Sequence, residues 1–192
     1  ITEIDATSGA LLAKNPYNKE FENRVCFFDV NDSDRTFTAD RTEFIGRNAS
    51  LRNPDAMKKK HLSGKTGAAL DPCGALQVTF ELADGHDSEH VFLLGAAKNA
   101  GEASNMVHKF RASIAARNVL GEVHSYWERT LGAVKVQTPD ESLNVLINGW
   151  LLYQTLSCRM RARSGYYQSG GAFGFRDQLQ DAMAVMHVEP RL

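Results

Sequence analysis

No apolar run in this sequence approaches the ~20 residues that a membrane-spanning helix needs, and no basic segment leading into an apolar stretch opens it as a signal peptide would. Cysteine is scarce. Cys26, Cys73 and Cys158 are far apart and form no Cys-x-x-Cys, which excludes a disulfide framework and a zinc knuckle and predicts free, buried thiols in a reducing compartment. Charge of one sign is also lacking: the net charge of -1 leaves no broad basic footprint, so nucleic acid is excluded as a partner, and the run Lys58, Lys59, Lys60, His61 reads as a solvated loop. Gly-x-Ser-x-Gly, the P-loop and Gly-x-Gly-x-x-Gly are all missing, which removes the usual support for nucleophile-elbow, nucleotide and dinucleotide readings. His86 and His90 are four apart but fall in a predicted turn and not on a helix, so no metal site is expected.

What is present is ordinary globular material, with 43% hydrophobic and 23% charged residues across 192 positions, enough for one good core or two small ones. Up to about residue 98 the signals are those of antiparallel strands. Arg24 to Val30 is rich in aromatic and β-branched residues and runs into the turn-forming Asn31 to Asp34. From Ala75 to Leu82, the residues Leu76, Val78, Phe80 and Leu82 alternate with polar ones. Ala83-Asp84-Gly85 then predicts a hairpin into a strand from Glu89 to Leu94.

From Asn99 the period becomes helical. Val107, Phe110, Ile114, Leu120, Val123, Trp127 and Leu131 form an approximate stripe broken near Gly121, with Lys109, Arg111, Arg117 and Glu122 on the solvent side. Thr138-Pro139-Asp140-Glu141 reads as a capping box with proline at the first helical position. The helix it opens, from Pro139 to about Arg161, is apolar almost all round and predicts burial on most sides. Nothing else in the sequence is large enough to cover it, so a second copy in a homodimer or the rest of a larger polypeptide is expected to do so. Ile1 in place of methionine, and an end soon after a further helix begins, read as a fragment.

That further helix follows the stretch from Gly165 to Met186, where chemistry concentrates. Tyr166, Tyr167, Phe173 and Phe175 offer flat apolar faces, while Gln168, Arg176, Asp177, Gln178 and Asp181 offer the paired donors and acceptors that sugar hydroxyls meet. Leu179, Ala182, Met183 and Met186 share one helical face, leaving Asp177, Gln178 and Asp181 on the other. A purely architectural reading makes Asp177 a capping acid, pairs Arg176 with Asp181, and lets Arg159, Arg161 and Arg163 complement a helix C-terminus.

The segment SGGAFGFRDQLQD is similar to the start of the catalytic barrel in the inverting glycoside phosphorylases related to cellobiose phosphorylase (glycoside hydrolase family 94). The sequence most resembles the branch of the phosphorylase-like region of cyclic β-1,2-glucan synthase. LLAKNPYNKEF (Leu11 to Phe21), FTADRTEFIGRN (Phe37 to Asn48) and LDPCGALQ (Leu70 to Gln77) carry the resemblance upstream, in the family's order. The resemblance implies an N-terminal β-sandwich (residues 1–98), a helical linker (99–136) and the start of an (α/α)6 barrel (137–192). It implies phosphorolysis of β-linked glucan with inversion, giving α-glucose 1-phosphate, with inorganic phosphate as co-substrate and no other cofactor.

By the same resemblance Asp177 would bind hydroxyls of the transferred glucosyl unit and Arg176 would orient it, with Gln168, Tyr167 and Asp181 around them. Arg161 or Arg163 would hold phosphate. The general acid of the family lies in a Trp-Asn-Asp motif that this sequence does not contain, so no catalytic proton donor is assigned. Many disaccharide phosphorylases of the family carry an extra arginine inside the glycine loop, absent here, which favours the cyclic-glucan-synthase branch. The implied setting is cytoplasmic, or the soluble part of an inner-membrane protein. Two alternatives stay open: an inverting hydrolase on the same barrel, and a carbohydrate-binding or structural domain without turnover.

Overall fold

The computed structural model describes residues 1–17, 19, 21–161 and 175–191, and it shows antiparallel strands followed by helices. The chain divides into two compact units, Ile1–Asn118 and Val119–Leu192. In the first, strands β1 (Thr2–Ile4), β2 (Leu11–Lys14), β3 (Val25–Val30) and β6 (Phe92–Ala97) form one antiparallel sheet in the order β1-β2-β3-β6. Strands β4 (Arg35–Asp40) and β5 (Pro72–Val78) pair with each other in a second sheet. Residues on the inner side of the first sheet, among them Leu12, Val25, Phe27 and Ala97, bury themselves against Ala103 and Val107 of helix α2 (Ala100–Phe110). Asn99 caps α2 by accepting from the Glu102 N–H at 2.9 Å, and Glu102 accepts in return from the Lys98 N–H, so two otherwise orphan donors are satisfied at the start of the helix.

The expected hairpin between Ala75 and Leu94 does not form. A turn is present, since His86 N–H donates to the Ala83 carbonyl, but the strands on either side of it belong to different sheets. β5 registers with β4, Arg35 opposite Val78, and β6 lies along the full length of β3, Val30 opposite Phe92. β5 therefore ends at Val78, and Phe80 and Leu82, expected on a buried face, are 54% and 60% exposed. The buried residue of β5 is Ala75, packed with Ala56 and Leu62. Cys26 likewise faces outward from β3, between inward Val25 and Phe27, so it is an exposed thiol and not the buried one expected. Cys158 is exposed too, and all three cysteines are free.

One ionic cluster ties this unit together. Asp29 is fully buried on β3, and its carboxylate receives Arg111 Nε at 2.8 Å, Arg111 Nη2 at 3.0 Å and Arg35 Nη2 at 3.0 Å. Further guanidinium hydrogens go to the carbonyls of Val30, Asp32 and Gly9 from Arg35 and to that of Ser8 from Arg111. Arg111, expected on the solvent side of one long helix, is instead drawn inward. The helix breaks here, before α3 (Ser113–Leu131), and not at Gly121, which lies in the middle of α3.

A second cluster explains the segment FTADRTEFIGRN. Asp40 caps the short helix α1 (Arg41–Ile45) through the Thr42 N–H, and Glu43 turns back beneath it. There Glu43 receives the Ser63 hydroxyl, the Ser63 N–H at 3.0 Å, the Thr38 hydroxyl at 2.7 Å and Lys59 Nζ at 3.4 Å. Gly46 ends the helix at φ +86°, where a Cβ would run into the Asp55 carboxylate. Burial alone would raise the Glu43 pKa, but the Ser63 and Thr38 bonds and the Lys59 charge outweigh it and bring the group down to about 2.

In the second unit, a helix uninterrupted from Pro139 to Arg161 was the expectation. The chain instead makes α4 (Glu141–Val145), a wide turn Leu146–Trp150, α5 (Leu151–Gln154) and a second wide turn Thr155–Met160. Asn148 and Gly149 leave helical dihedrals, and Gly149, at φ +115°, is buried with its missing Cβ 3.3 Å from Leu131 Cβ, so only glycine fits. Asn144 and Asn148, one turn apart, each pair through both amide atoms with the backbone of the preceding segment, at Thr138 and Val136 respectively. Because Asn144 also satisfies the Thr138 hydroxyl, Thr138 is not the cap. Asp140 is, accepting from Ser142 and Leu143 N–H. Leu143, Val145, Leu146, Trp150 and Leu151 are each more than two-fifths exposed, so the face the sequence wants covered is uncovered within this unit. At the final helix α6 (Phe175–Val185), Leu179, Ala182, Met183 and Met186 line one groove as the stripe predicts, with Leu179, Met183 and Met186 about half exposed and Val185 buried beside them.

Two outcomes follow. Asp29→Asn leaves two guanidiniums around a neutral amide and is expected to cost about 3–5 kcal/mol of unfolding free energy, measured by urea titration. Because the Glu43 pKa is depressed, its contribution is complete above the unfolded carboxyl value near 4.5 and is lost as pH falls toward about 2. Glu43→Gln is therefore expected to flatten the fall of melting temperature between about pH 5 and pH 2, read by scanning calorimetry.

Candidate functional site

The residues singled out for chemistry all belong to the second unit, around the end of the turn Thr155–Met160 and the start of α6. Gln168, Tyr167 and Arg163 lie outside the described residues, as does the side chain of Asp177. Arg161, Arg176 and Asp181 lie within them.

Arg159 Nε donates to Asp181 Oδ2 at 2.8 Å, which pins the C-terminal end of the turn to α6. The architectural reading paired Asp181 with Arg176, but the partner is Arg159, and Arg176 is exposed. The pair is partly exposed on both sides, 37% and 24%, so it contributes ≲1 kcal/mol to stability and its value is geometric. Beneath it Leu156 and Val185 are buried where the turn meets α6.

Arg161 takes a different partner. Its backbone N–H closes the last turn on the Leu156 carbonyl at 3.0 Å, and its side chain reaches back to α3. There the guanidinium carbon lies 5.2 Å from the centre of the Tyr126 ring, and Nη2 donates to the Tyr126 hydroxyl. Arg129, one turn along α3, places its own guanidinium carbon 5.9 Å from the same ring. Trp127 meets Tyr126 edge-on at 5.3 Å and Tyr153 at 5.2 Å, and Tyr153 stacks with Trp150 at 6.1 Å. The local composition is thus arginine held against aromatic rings, which suits an anion and the apolar faces of sugars. Tyr126 was not singled out by the sequence reading. Its only signal was an aromatic pair, Tyr126-Trp127, on an amphipathic stripe, and 35 residues separate it from Arg161.

In the first unit, His90 Nδ1 is 3.6 Å from Asp32 and its Nε2 is 2.9 Å from the Ser88 hydroxyl. Among the described residues there is no group of three or more His, Cys, Asp and Glu side chains able to hold a metal ion, and no helix long and apolar enough to cross a membrane.

Residues 1–113 match the supersandwich domain of glycosyl hydrolase 94, and residues 126–192 match the catalytic domain of the glycosyl hydrolase 94 superfamily. The chain belongs to glycosyl hydrolase family 94. It is 37% identical over its whole length to the cyclic β-(1,2)-glucan synthase NdvB of Rhizobium meliloti (strain 1021), of which it covers 7%. It is also 28% identical to an N,N'-diacetylchitobiose phosphorylase of Vibrio proteolyticus, with 92% of this chain and 22% of that protein aligned. A 3-O-β-D-glucopyranosyl-β-D-glucuronide phosphorylase of Paenibacillus borealis is 31% identical, with 81% of this chain and 19% of that protein aligned. The chain thus spans a fifth or less, or little more than a fifth, of the length of these relatives. The interval between the two family matches, residues 114–125, falls within α3, the helix in which the two compact units also part.

Proposed function

We propose that this chain is part of an inverting phosphorylase module that cleaves β-linked glucan, by preference β-1,2-glucan, and releases α-glucose 1-phosphate. The observation that carries the reading is the whole-length likeness to a cyclic β-(1,2)-glucan synthase within a family whose other relatives here are named phosphorylases. The working setting is the cytoplasm or the cytoplasmic face of a larger membrane protein.

Inversion at the anomeric carbon requires an acid to protonate the departing oxygen while a nucleophile attacks the opposite face. In a hydrolase a second carboxylate prepares water for that attack. In a phosphorylase inorganic phosphate is the nucleophile, and what must be supplied is cationic hydrogen-bond donors that hold it in line. The C–O bond to the leaving sugar breaks, a C–O bond to phosphate forms, and the β configuration becomes α. Arg161 and Arg163 are the phosphate ligands in this reading. Asp177 accepts hydroxyls of the glucosyl unit, Arg176 orients it, and Gln168, Tyr167 and Asp181 complete the polar wall. The proton comes from an acid that this sequence does not supply.

The whole protein incubated with β-1,2-glucan is expected to yield α-glucose 1-phosphate only when phosphate is added, detected by phosphoglucomutase-coupled assay. Free glucose released without phosphate would show a hydrolase, and glucan retention without turnover a binding module. In the same assay Asp177→Asn is expected to lower kcat/KM about 100-fold, or about 2.7 kcal/mol, with little change in melting temperature. Asparagine caps a helix about as well as aspartate, so near-normal activity would reduce Asp177 to a cap.

A further inference from the structure

We propose that Tyr126 is the positioning residue that holds Arg161 ready for phosphate, an inference that rests on the assignment of Arg161 just made. Arg161 sits where the helical path ends, at φ -112°, ψ -17°, and its side chain is exposed. An arginine in such a place ordinarily samples many rotamers. Here it is fixed at two points by one residue of another helix, through ring and hydroxyl together.

The kind of partner matters as much as the fixing. Arg159 is held by a carboxylate, Asp181, which cancels its charge. Among the described residues Arg161 has no carboxylate within ion-pair distance, and its partner is a neutral phenol. A π face and a hydroxyl oxygen restrain a guanidinium without neutralising it, so the full positive charge stays available. The bond to Tyr126 spends one of five N–H donors, leaving enough for a two-pronged grip on phosphate oxygens.

Arg129 against the same ring adds a second cation. Two guanidiniums gathered on one uncharged ring repel each other, and an arriving anion relieves that repulsion. The ring itself is kept in place by Trp127, edge-on at 5.3 Å, which in turn rests on Tyr153. The aromatic group thus supports a phosphate ligand and is not itself in contact with the reacting atoms.

The test is phosphorolysis of β-1,2-glucan by the whole protein, with KM for phosphate, KM for glucan and kcat determined separately for Tyr126→Phe, Tyr126→Leu and Arg161→Ala. Tyr126→Leu is expected to raise KM for phosphate about tenfold, and Tyr126→Phe, which keeps the ring, about threefold, with KM for glucan and kcat within about twofold of normal. If Arg161→Ala raises KM for phosphate and both Tyr126 variants leave it unchanged, the inference is overturned and the reading of Arg161 survives. If Arg161→Ala leaves it unchanged, or no phosphorolysis is found, the reading itself fails and takes the inference with it. Should Tyr126→Leu melt well below the parent protein, the phosphate KM of Tyr126→Phe decides alone.

Discussion

Asp29 is the constraint on which the first unit depends. A carboxylate with no exposure to water is affordable only when its charge is met and its lone pairs are filled, and two arginines from distant parts of the chain do this. Their excess of one positive charge is absorbed by four backbone carbonyls, those of Ser8, Gly9, Val30 and Asp32. The topology follows from where the arginines stand. Arg35, the first residue of β4, folds back onto the end of β3, so β4 cannot continue as the hairpin partner of β3 and is turned out to build the second sheet with β5. Val25 to Val30 is thereby left free on one edge, and β6 occupies it. Arg111 does the equivalent for the helices: by turning inward it ends α2 against the sheet and starts α3 on a separate path.

The same view sorts the four sequence segments that mark the family. LLAKNPYNKEF contains β2, LDPCGALQ contains most of β5, and FTADRTEFIGRN supplies most of β4, the Asp40 cap, the Glu43 hub and the Gly46 exit. Each contributes strand pairing or a satisfied buried carboxylate. Likeness in the first three segments therefore reports a shared scaffold. In SGGAFGFRDQLQD, residues 169–174 lie outside the described residues, Asp181 is paired with Arg159, and Arg176 and Gln180 are exposed.

Local physics was legible in the sequence and non-local pairing was not. The strand of Arg24 to Val30, the helix start after Asn99 and the turn at Ala83 to Gly85 all depend on neighbours within a few residues, and all are present. The hairpin failed because the alternation of Leu76 to Leu82 says that a strand is possible, not which strand it pairs with, and β4 lies some 40 residues away. The break at Gly121 failed because an exposed glycine costs a helix only about 1 kcal/mol, whereas the pull of Asp29 on Arg111 has no local signature. The break at Gly149 was missed for the opposite reason: an apolar periodicity hides one glycine whose role appears only when Leu131 is seen packed against it.

The candidate site was legible as composition and not as geometry. Three arginines at alternate positions, Arg159, Arg161 and Arg163, look equivalent in a sequence and read equally well as complements to a helix dipole. Among the described residues the structure separates the first two by their partners: one is paired with a carboxylate and serves to join two segments, the other is held by an uncharged aromatic with no carboxylate beside it. A phosphorylase must do with cations what a hydrolase does with a second carboxylate, and cations kept close together in the empty site have to be restrained by something that does not compete with phosphate. An aromatic ring bearing a hydroxyl meets that requirement, and a carboxylate does not. The partner of an arginine, more than its presence, therefore distinguishes a structural cation from one available to an anionic substrate.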